Sequence, residues 1–247
     1  MAKASDQLTI VLPHGRRTTQ GQSVVAARPL PRASTYLDNI DANCVLRLVA
    51  VRSPKFQDFS DQRNHASVSG PAMNSKGRFG PAWCIAGGTD YVQVSRDTKF
   101  EEKAGSVVIW LKPTTAYPQV AEDYLATTQE DNGLTIAFQT SGKLRFRLYN
   151  GGSDTLESTT TSFATSRWYC IGASWDKTSG MKLFVNGAKE AYNSSTRFPS
   201  TGLDNDTFIG AKNSSGDNAA DILVDEVMIF RRALSDREFA EIYAAGL

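Results

Sequence analysis

From about residue 39 onward, the apolar residues fall in short alternating runs separated by Gly, Asn, Asp and Ser, a period of two that predicts β-strands rather than helices. The clearest unit is Trp168–Asp176 and Met181–Gly187, two alternating runs joined by Lys177-Thr-Ser-Gly180, which predicts a hairpin. Asn186-Gly187 then turns the chain back toward Ala188–Tyr192. Leu134–Phe138 and Leu144–Leu148 flank Thr140-Ser-Gly142 as a further hairpin. In its second arm Arg145 and Arg147 alternate with Leu144, Phe146 and Leu148, giving one face to the core and one to solvent or a partner. Within Gly105–Pro113, Val107, Ile109 and Leu111 share one side while Val108 and Trp110 occupy the other, so this strand is covered on both faces. Cys44–Val51, the strand pair Trp83–Ile85 and Tyr91–Val94 joined by a tight turn at Gly87-Gly88, and Asp206–Ala211 complete the strand signals.

The stretch Asp221–Leu247 combines both periodicities. Leu223, Val227 and Ile229 interleave with Val224, Met228 and Phe230, which predicts another doubly covered strand. Ser235 with Glu238 three positions later is a capping box. Phe239, Ile242 and Tyr243 then lie on one helical face, and Gly246 stands at the C-cap position. The acidic pair Asp225-Glu226 interrupts the apolar strand. Turn signals recur about every eight to twelve residues, which predicts one antiparallel β-sandwich rather than βαβ units.

Residues 1–38 are different. Lys3, Arg16, Arg17, Arg28 and Arg32 face only Asp6 and Asp38, and Pro13, Pro29 and Pro31 break any regular element apart from short strands at Leu8–Leu12 and Ser23–Ala27. The division expected is a basic extended arm, 1–38, followed by one domain, 39–247. A net charge of +1 gives no reason to expect nucleic acid as ligand. The three cysteines, Cys44, Cys84 and Cys170, form no metal-binding spacing and are expected as buried thiols, as the four tryptophans Trp83, Trp110, Trp168 and Trp175 are expected in the core. The N-terminus lacks a signal-peptide pattern and no apolar run matches a membrane span, so synthesis in a cytoplasm and no membrane partner are expected.

Several fragments, in order, carry a family likeness: Gly77-Arg-Phe-Gly80, Gly87-Gly-Thr-Asp-Tyr-Val-Gln-Val94, Val107–Pro113, Trp168-Tyr169 through Ser174-Trp-Asp176, Lys182-Leu-Phe-Val-Asn-Gly187, and Asp225–Phe230 followed by Ala233-Leu-Ser-Asp-Arg-Glu238. The chain from about Leu37 resembles the laminin-G-like branch of the concanavalin A-like lectin/glucanase jelly rolls. Its opening, Asp41–Leu48 with Phe56-Gln-Asp-Phe-Ser60, is similar to versions found in virion proteins of tailed phages. The resemblance implies an all-β, two-sheet antiparallel jelly roll with a short C-terminal helix. It also implies a non-enzymatic decoration protein of a phage particle, with other virion proteins and copies of itself as partners. Arg16, Arg17, Arg28 and Arg32 would anchor the arm. The alternative it implies is a carbohydrate-binding module or adhesin domain.

The glucanase branch uses a Glu-x-Asp-x-x-Glu strand, which this chain lacks. Its acidic pairs Glu101-Glu102, Glu122-Asp123, Glu130-Asp131 and Asp225-Glu226 are expected on opposite strand faces or in loops, not as paired catalytic acids. The resemblance implies a structural calcium on Asp225 with Asp58, Asp61 and Asn64, oxygen ligands of the kind that ion takes. A metal-free alternative is an ion pair or polar network at the same acids, with Arg63 as cation. For a glycan, Tyr149, Asn150, Asp154, Tyr192 and Asn193 supply aromatic and amide or carboxylate groups in loops, the pairing that sugar recognition needs. His14 and His65 are isolated from any nucleophile pattern.

Overall fold

The computed structural model describes residues 43–50, 57–74, 76–101, 103–117, 122–128, 133–199 and 206–246. The expected arm, its four arginines, the boundary at 38/39, His14, and the pairs Glu101-Glu102 and Glu130-Asp131 (each at least in part) lie outside these residues. Strands are numbered along the chain. Among the described residues the larger sheet runs β14 (Ala188–Asn193), β13 (Gly180–Val185), β12 (Tyr169–Asp176), β7 (Ala104–Pro113), β16 (Asp221–Phe230), β1 (Cys44–Val49) and β2 (Gln57–Asp58). Strands β5 (Ala82–Ala86) and β4 (Ala72–Asn74) branch from β16. The smaller sheet runs β11 (Ser153–Glu157), β10 (Leu144–Tyr149), β9 (Leu134–Phe138), β8 (Asp123–Thr128), β15 (Thr207–Ile209), β6 (Tyr91–Val94) and β3 (Ser67–Ser69). Every pairing between these strands is antiparallel.

The predicted hairpins are present: β9 pairs β10, β12 pairs β13, and β13 pairs β14. Asn186 and Gly187 both take positive φ, 51° and 76°, the pair of left-handed residues that a two-residue turn between twisted strands requires. The expected pair around Gly87-Gly88 is corrected. Its strands exist as β5 and β6, but they belong to different sheets, so the turn is a corner of the sandwich. Periodicity gave both strands and could not say which sheet each joins.

The alternation expected of β7 holds: Val107, Ile109 and Leu111 enter the core between the sheets, while Val108 and Trp110 enter a second apolar layer on the outer face of the larger sheet. The same outer layer contains Cys44, Cys170, Phe184, Met228 and Phe230, and it is covered by helix α1 (Asp236–Ala245) through Phe239 and Ile242. Full burial of each such side chain contributes about 1.5–3 kcal/mol. The helix therefore shields a second core. Its capping box is formed as predicted by Ser235 and Glu238. Gly246 is the C-cap, but at φ −93° it is not left-handed. A Cβ there would collide with the Trp110 ring, so the glycine gives room rather than conformation.

Strand β16 departs from plain alternation. Val224 pairs Leu111 and Val227 pairs Ile109, so β16 spends three residues where β7 spends two, a bulge at Asp225-Glu226. The bulge moves Val224 to the same side as Val227 and Ile229, all three in the inter-sheet core, and not with Met228 and Phe230 as simple alternation requires. The other edge of β16 is shared: residues 221–224 pair with β5 and residues 226–230 with β1. The sheet forks at Asp225. Trp83, Trp110 and Trp175 are buried as expected, whereas Trp168 precedes β12 and is partly buried against the outer layer. Cys44 and Cys170 are buried free thiols; Cys84 is only partly covered.

Candidate functional site

The loop Asn150–Gly152 joins β10 to β11, and the segment after β14 runs alongside it. Asp154 ties them together. Its Oδ2 accepts from Arg197 Nε at 2.8 Å and from the Ser195 hydroxyl, while Arg197 Nη1 donates to the Asn150 carbonyl. Asn193 Oδ1 accepts the Ser195 amide at 2.8 Å, and Ser195 Oγ accepts the Arg197 amide at 3.1 Å. The Ser195 hydroxyl, then the Arg197 guanidinium, hold the Asp154 carboxyl below the usual carboxylate range. Three of the five residues expected to face a glycan, Asn150, Asp154 and Asn193, thus belong to one network. Its centre, Arg197, carries no strand or motif signal in the sequence, because its role rests on contacts across some forty residues.

The two tyrosines are not brought together. Tyr149 follows the inward Leu148 and stands on the outer face of the smaller sheet; Tyr192 follows Ala191, which packs on the core, and stands on the outer face of the larger one. Tyr192 is 54% exposed, opposite Lys182.

The Tyr149 face is the polar face predicted for β10. Arg145, Arg147 and Tyr149 point outward, with Thr135 and Thr155 on either side of Arg147 and Ala137 and Glu157 on either side of Arg145. Arg145 pairs with Glu122, and Lys143 with Glu157 at 3.1 Å. The Arg147 guanidinium lies 4.4 Å from the Tyr149 ring centroid, a cation–π contact that braces the ring. The Nε atoms of Arg145 and Arg147 and the hydroxyl of the fully buried Thr135 have no hydrogen-bond partner.

The acids assigned to calcium lie in separate networks. Asp58 is buried, and its two oxygens accept from the amides of Arg47 (2.8 Å), Ser60 (2.8 Å) and Asn64 (2.7 Å) and from the Ser60 hydroxyl (2.8 Å). Asn64 Nδ2 donates to Asp97 at 2.7 Å, and Asp61 and Arg63 are exposed. Asp225 Oδ2 accepts the Phe79 amide at 2.7 Å, in the turn Gly77–Gly80. Four donors on four lone-pair directions leave Asp58 nothing to offer a cation, which would meet N–H dipoles pointing at it; the donor set does not fit calcium. Among the described residues no three His, Cys, Asp or Glu side chains converge in a metal-binding group.

The bulge also corrects the expectation that adjacent acids diverge. Asp225 reaches the turn carrying Phe79, and Glu226 Oε1 reaches Arg47 Nη2 at 3.3 Å, both on the outer, helix-covered side of the sheet. Both are buried, and burial raises both carboxyls above the ordinary range; Asp225 raises Glu226 further, while Arg47 opposes the shift. Glu122 and Asp123 serve different partners, Arg145 and Tyr117.

Two stacked antiparallel sheets, with a helix-backed last strand and loops gathered at one edge, give an architecture that can be compared with known proteins. A laminin-G-type family model, described as the Concanavalin A-like lectin/glucanases superfamily, matches residues 86–240. The chain belongs to this superfamily. Comparison with curated proteins finds no match. Among solved structures it is similar to the binding domain of Paraclostridial Mosquitocidal Protein 1, with a TM-score of 0.66 and 18% identity over 82% of this chain and 52% of that one. It is also similar to the botulinum neurotoxin serotype D ligand binding domain in complex with N-acetylneuraminic acid (TM-score 0.67, 16% identity, 82% and 50%). A third is the binding domain of botulinum neurotoxin DC in complex with rat synaptotagmin II (TM-score 0.65, 13% identity, 83% and 52%). The chain spans about half the length of these solved domains. At such identities the likeness is one of fold, a lectin-like jelly roll of the kind used in binding domains.

Proposed function

We propose that this domain is a non-catalytic glycan-binding module whose site lies at the Tyr149 end of the smaller sheet. The observation that carries this is Tyr149 itself: a half-exposed ring braced by Arg147, beside a loop whose Asn150 carbonyl is held by Arg197. A fixed aromatic face next to fixed polar groups matches the alternating apolar and hydroxyl surfaces of a sugar. Structural neighbours captured with N-acetylneuraminic acid and with SialylT support the reading, as does the superfamily. A non-enzymatic role is supported by the placement of the Asp225-Glu226 pair, buried beneath the outer layer where no substrate reaches it. The test is a glycan array with the full chain and with Tyr149→Ala. Specific hits lost in the variant are expected; an array without hits, or hits indifferent to Tyr149→Ala, overturns the reading.

A second reading concerns where the module is displayed. The basic, proline-broken composition of residues 1–38, outside the stretch matched by the family model, favours an arm that carries the jelly roll on a phage particle through virion proteins or sister copies. Deleting residues 1–35 is then expected to leave the sandwich folded and to abolish incorporation into particles; normal incorporation overturns it.

A further inference from the structure

The outer face of the smaller sheet has an uneven distribution of charge. The two carboxylates nearest Arg147 among the described residues each have a cation, Glu122 from Arg145 and Glu157 from Lys143. Arg147 lies between these pairs and the Tyr149 ring and, among the described residues, forms neither an ion pair nor a side-chain hydrogen bond; its directed contact there is with that ring. The Arg147 Nε is buried without a partner, and among the described residues no acceptor replaces the water that burial removes from it. The residues next to it are also donors. Register places Thr135 directly across from Arg147 on one side and Thr155 on the other. Thr135 is fully buried and its hydroxyl has no partner. A guanidinium beside an exposed hydroxyl and an aromatic ring is short of one thing, an anionic acceptor.

Resting on the glycan reading above, we propose that the ligand is an acidic saccharide and that Arg147, with the exposed Thr155 beside it, receives its carboxylate or sulfate group while Tyr149 takes an apolar sugar face. Charge complementarity favours this over a neutral sugar: a planar guanidinium binds a carboxylate through two parallel hydrogen bonds, and a neutral hydroxyl would leave the cation uncompensated. Tyr192, on the opposite outer face, takes no part.

The test compares chemically paired probes, sialyllactose against lactose and a sulfated against an unsulfated disaccharide, by calorimetric titration of the intact chain. The acidic partner is expected to bind about tenfold or more tightly, and the preference is expected to shrink as salt is raised. Arg147→Gln should abolish the preference, bringing the acidic probe down to the level of its neutral partner, and should weaken the neutral partner only to the extent that Arg147 braces Tyr149. Arg147→Lys, which keeps charge without the fork, should retain only part of it, and Tyr192→Ala should change nothing. Free inorganic sulfate should compete with the acidic probes only weakly if the sugar is part of the ligand; equal competition would make the site a general anion site and overturn the saccharide assignment. Equal affinity for acidic and neutral partners overturns the inference and leaves the glycan reading intact, whereas failure to bind any probe overturns both. If Arg147→Gln is poorly folded, the Arg147→Lys comparison and the salt dependence decide.

Discussion

Asp225 holds the amide of Phe79 at 2.7 Å, and through that turn the central strand reaches the end of the helix. Phe79 meets Trp110 edge to face at 5.2 Å, Trp110 stacks on Tyr243 at 5.9 Å, and Arg78 Nε donates to the Gly246 carbonyl at 2.6 Å, at the helix C-terminus where a cation is favoured. Asp225→Ala should therefore loosen the turn and the helix end together. A loss of about 1–3 kcal/mol is expected, seen as a melting temperature lower by about 2–12 °C and a reduced near-ultraviolet aromatic signal. An unchanged aromatic signal would mean that the turn does not depend on the carboxylate.

Glu238 gives the helix a pH dependence of definite sign. Hydrogen bonds from Arg232, helped by Ser235 and opposed by burial, bring its carboxyl down from 4.5 to about 2. A depressed folded value means stability that is complete above 4.5 and is lost as pH falls toward 2. The pair lies at the surface, with the Glu238 side chain about 24% and that of Arg232 about 33% exposed, so solvent screening keeps the effect small. Glu238→Gln should melt slightly earlier at pH 7 and show a flatter profile between about pH 4.5 and 2, measured by thermal melts across that range.

Glu226 works in the opposite direction. Its folded value is raised by burial, so its contribution is fullest at acid pH and is lost as pH rises through the raised value. Glu226→Gln, which still offers Arg47 an acceptor, is expected to melt higher than the parent at pH 8 and level with it near pH 4. A variant that melts lower at both pH values would show that the ion pair outweighs the desolvation.

Asp58 binds three amides and a hydroxyl where calcium was expected, so excess chelator and millimolar calcium should each leave the melting temperature unchanged. Asp58→Ala should lower stability by about 2–4 kcal/mol, since it orphans several buried donors, and added calcium should not restore it. A calcium-dependent melt in the parent chain would contradict this.

Gly172 lies directly beneath Phe239: a Cβ at this position would sit 2.5 Å from Phe239 Cε1 and 3.3 Å from Phe184 Cβ. Phe184 and Phe239 are stacked at 3.9 Å and leave no slack. Gly172→Ala should displace the helix and cost about 1–3 kcal/mol, with faster amide exchange in 236–245 than in the strands.

Most of the sandwich could be read from alternation, because strands covered on both faces and Asn-Gly turns are local features: β7, the β12–β14 meander and the capping box needed no distant information. Three things were not legible. The bulge at Asp225-Glu226 changes the phase of β16 by one residue, and adjacency in sequence says nothing about it. The sheet assignment of β5 and β6 depends on which partner each finds far along the chain. Arg197 and Thr135 matter through what lies across from them, and a polar residue in a loop or strand looks the same with or without that neighbour. The calcium expectation failed to fit for a related reason: an acid seen in sequence does not reveal that backbone amides already fill its lone pairs.

Strand β16 follows every other described strand in the chain yet lies at the middle of the larger sheet, with β7 on one edge and both β5 and β1 on the other. During synthesis the two wings of that sheet must wait unjoined, with their apolar faces open, until the last strand has left the ribosome. The fold can close only after translation has passed Phe230. A chain truncated before β16 is therefore expected to leave those faces uncovered and to aggregate more readily.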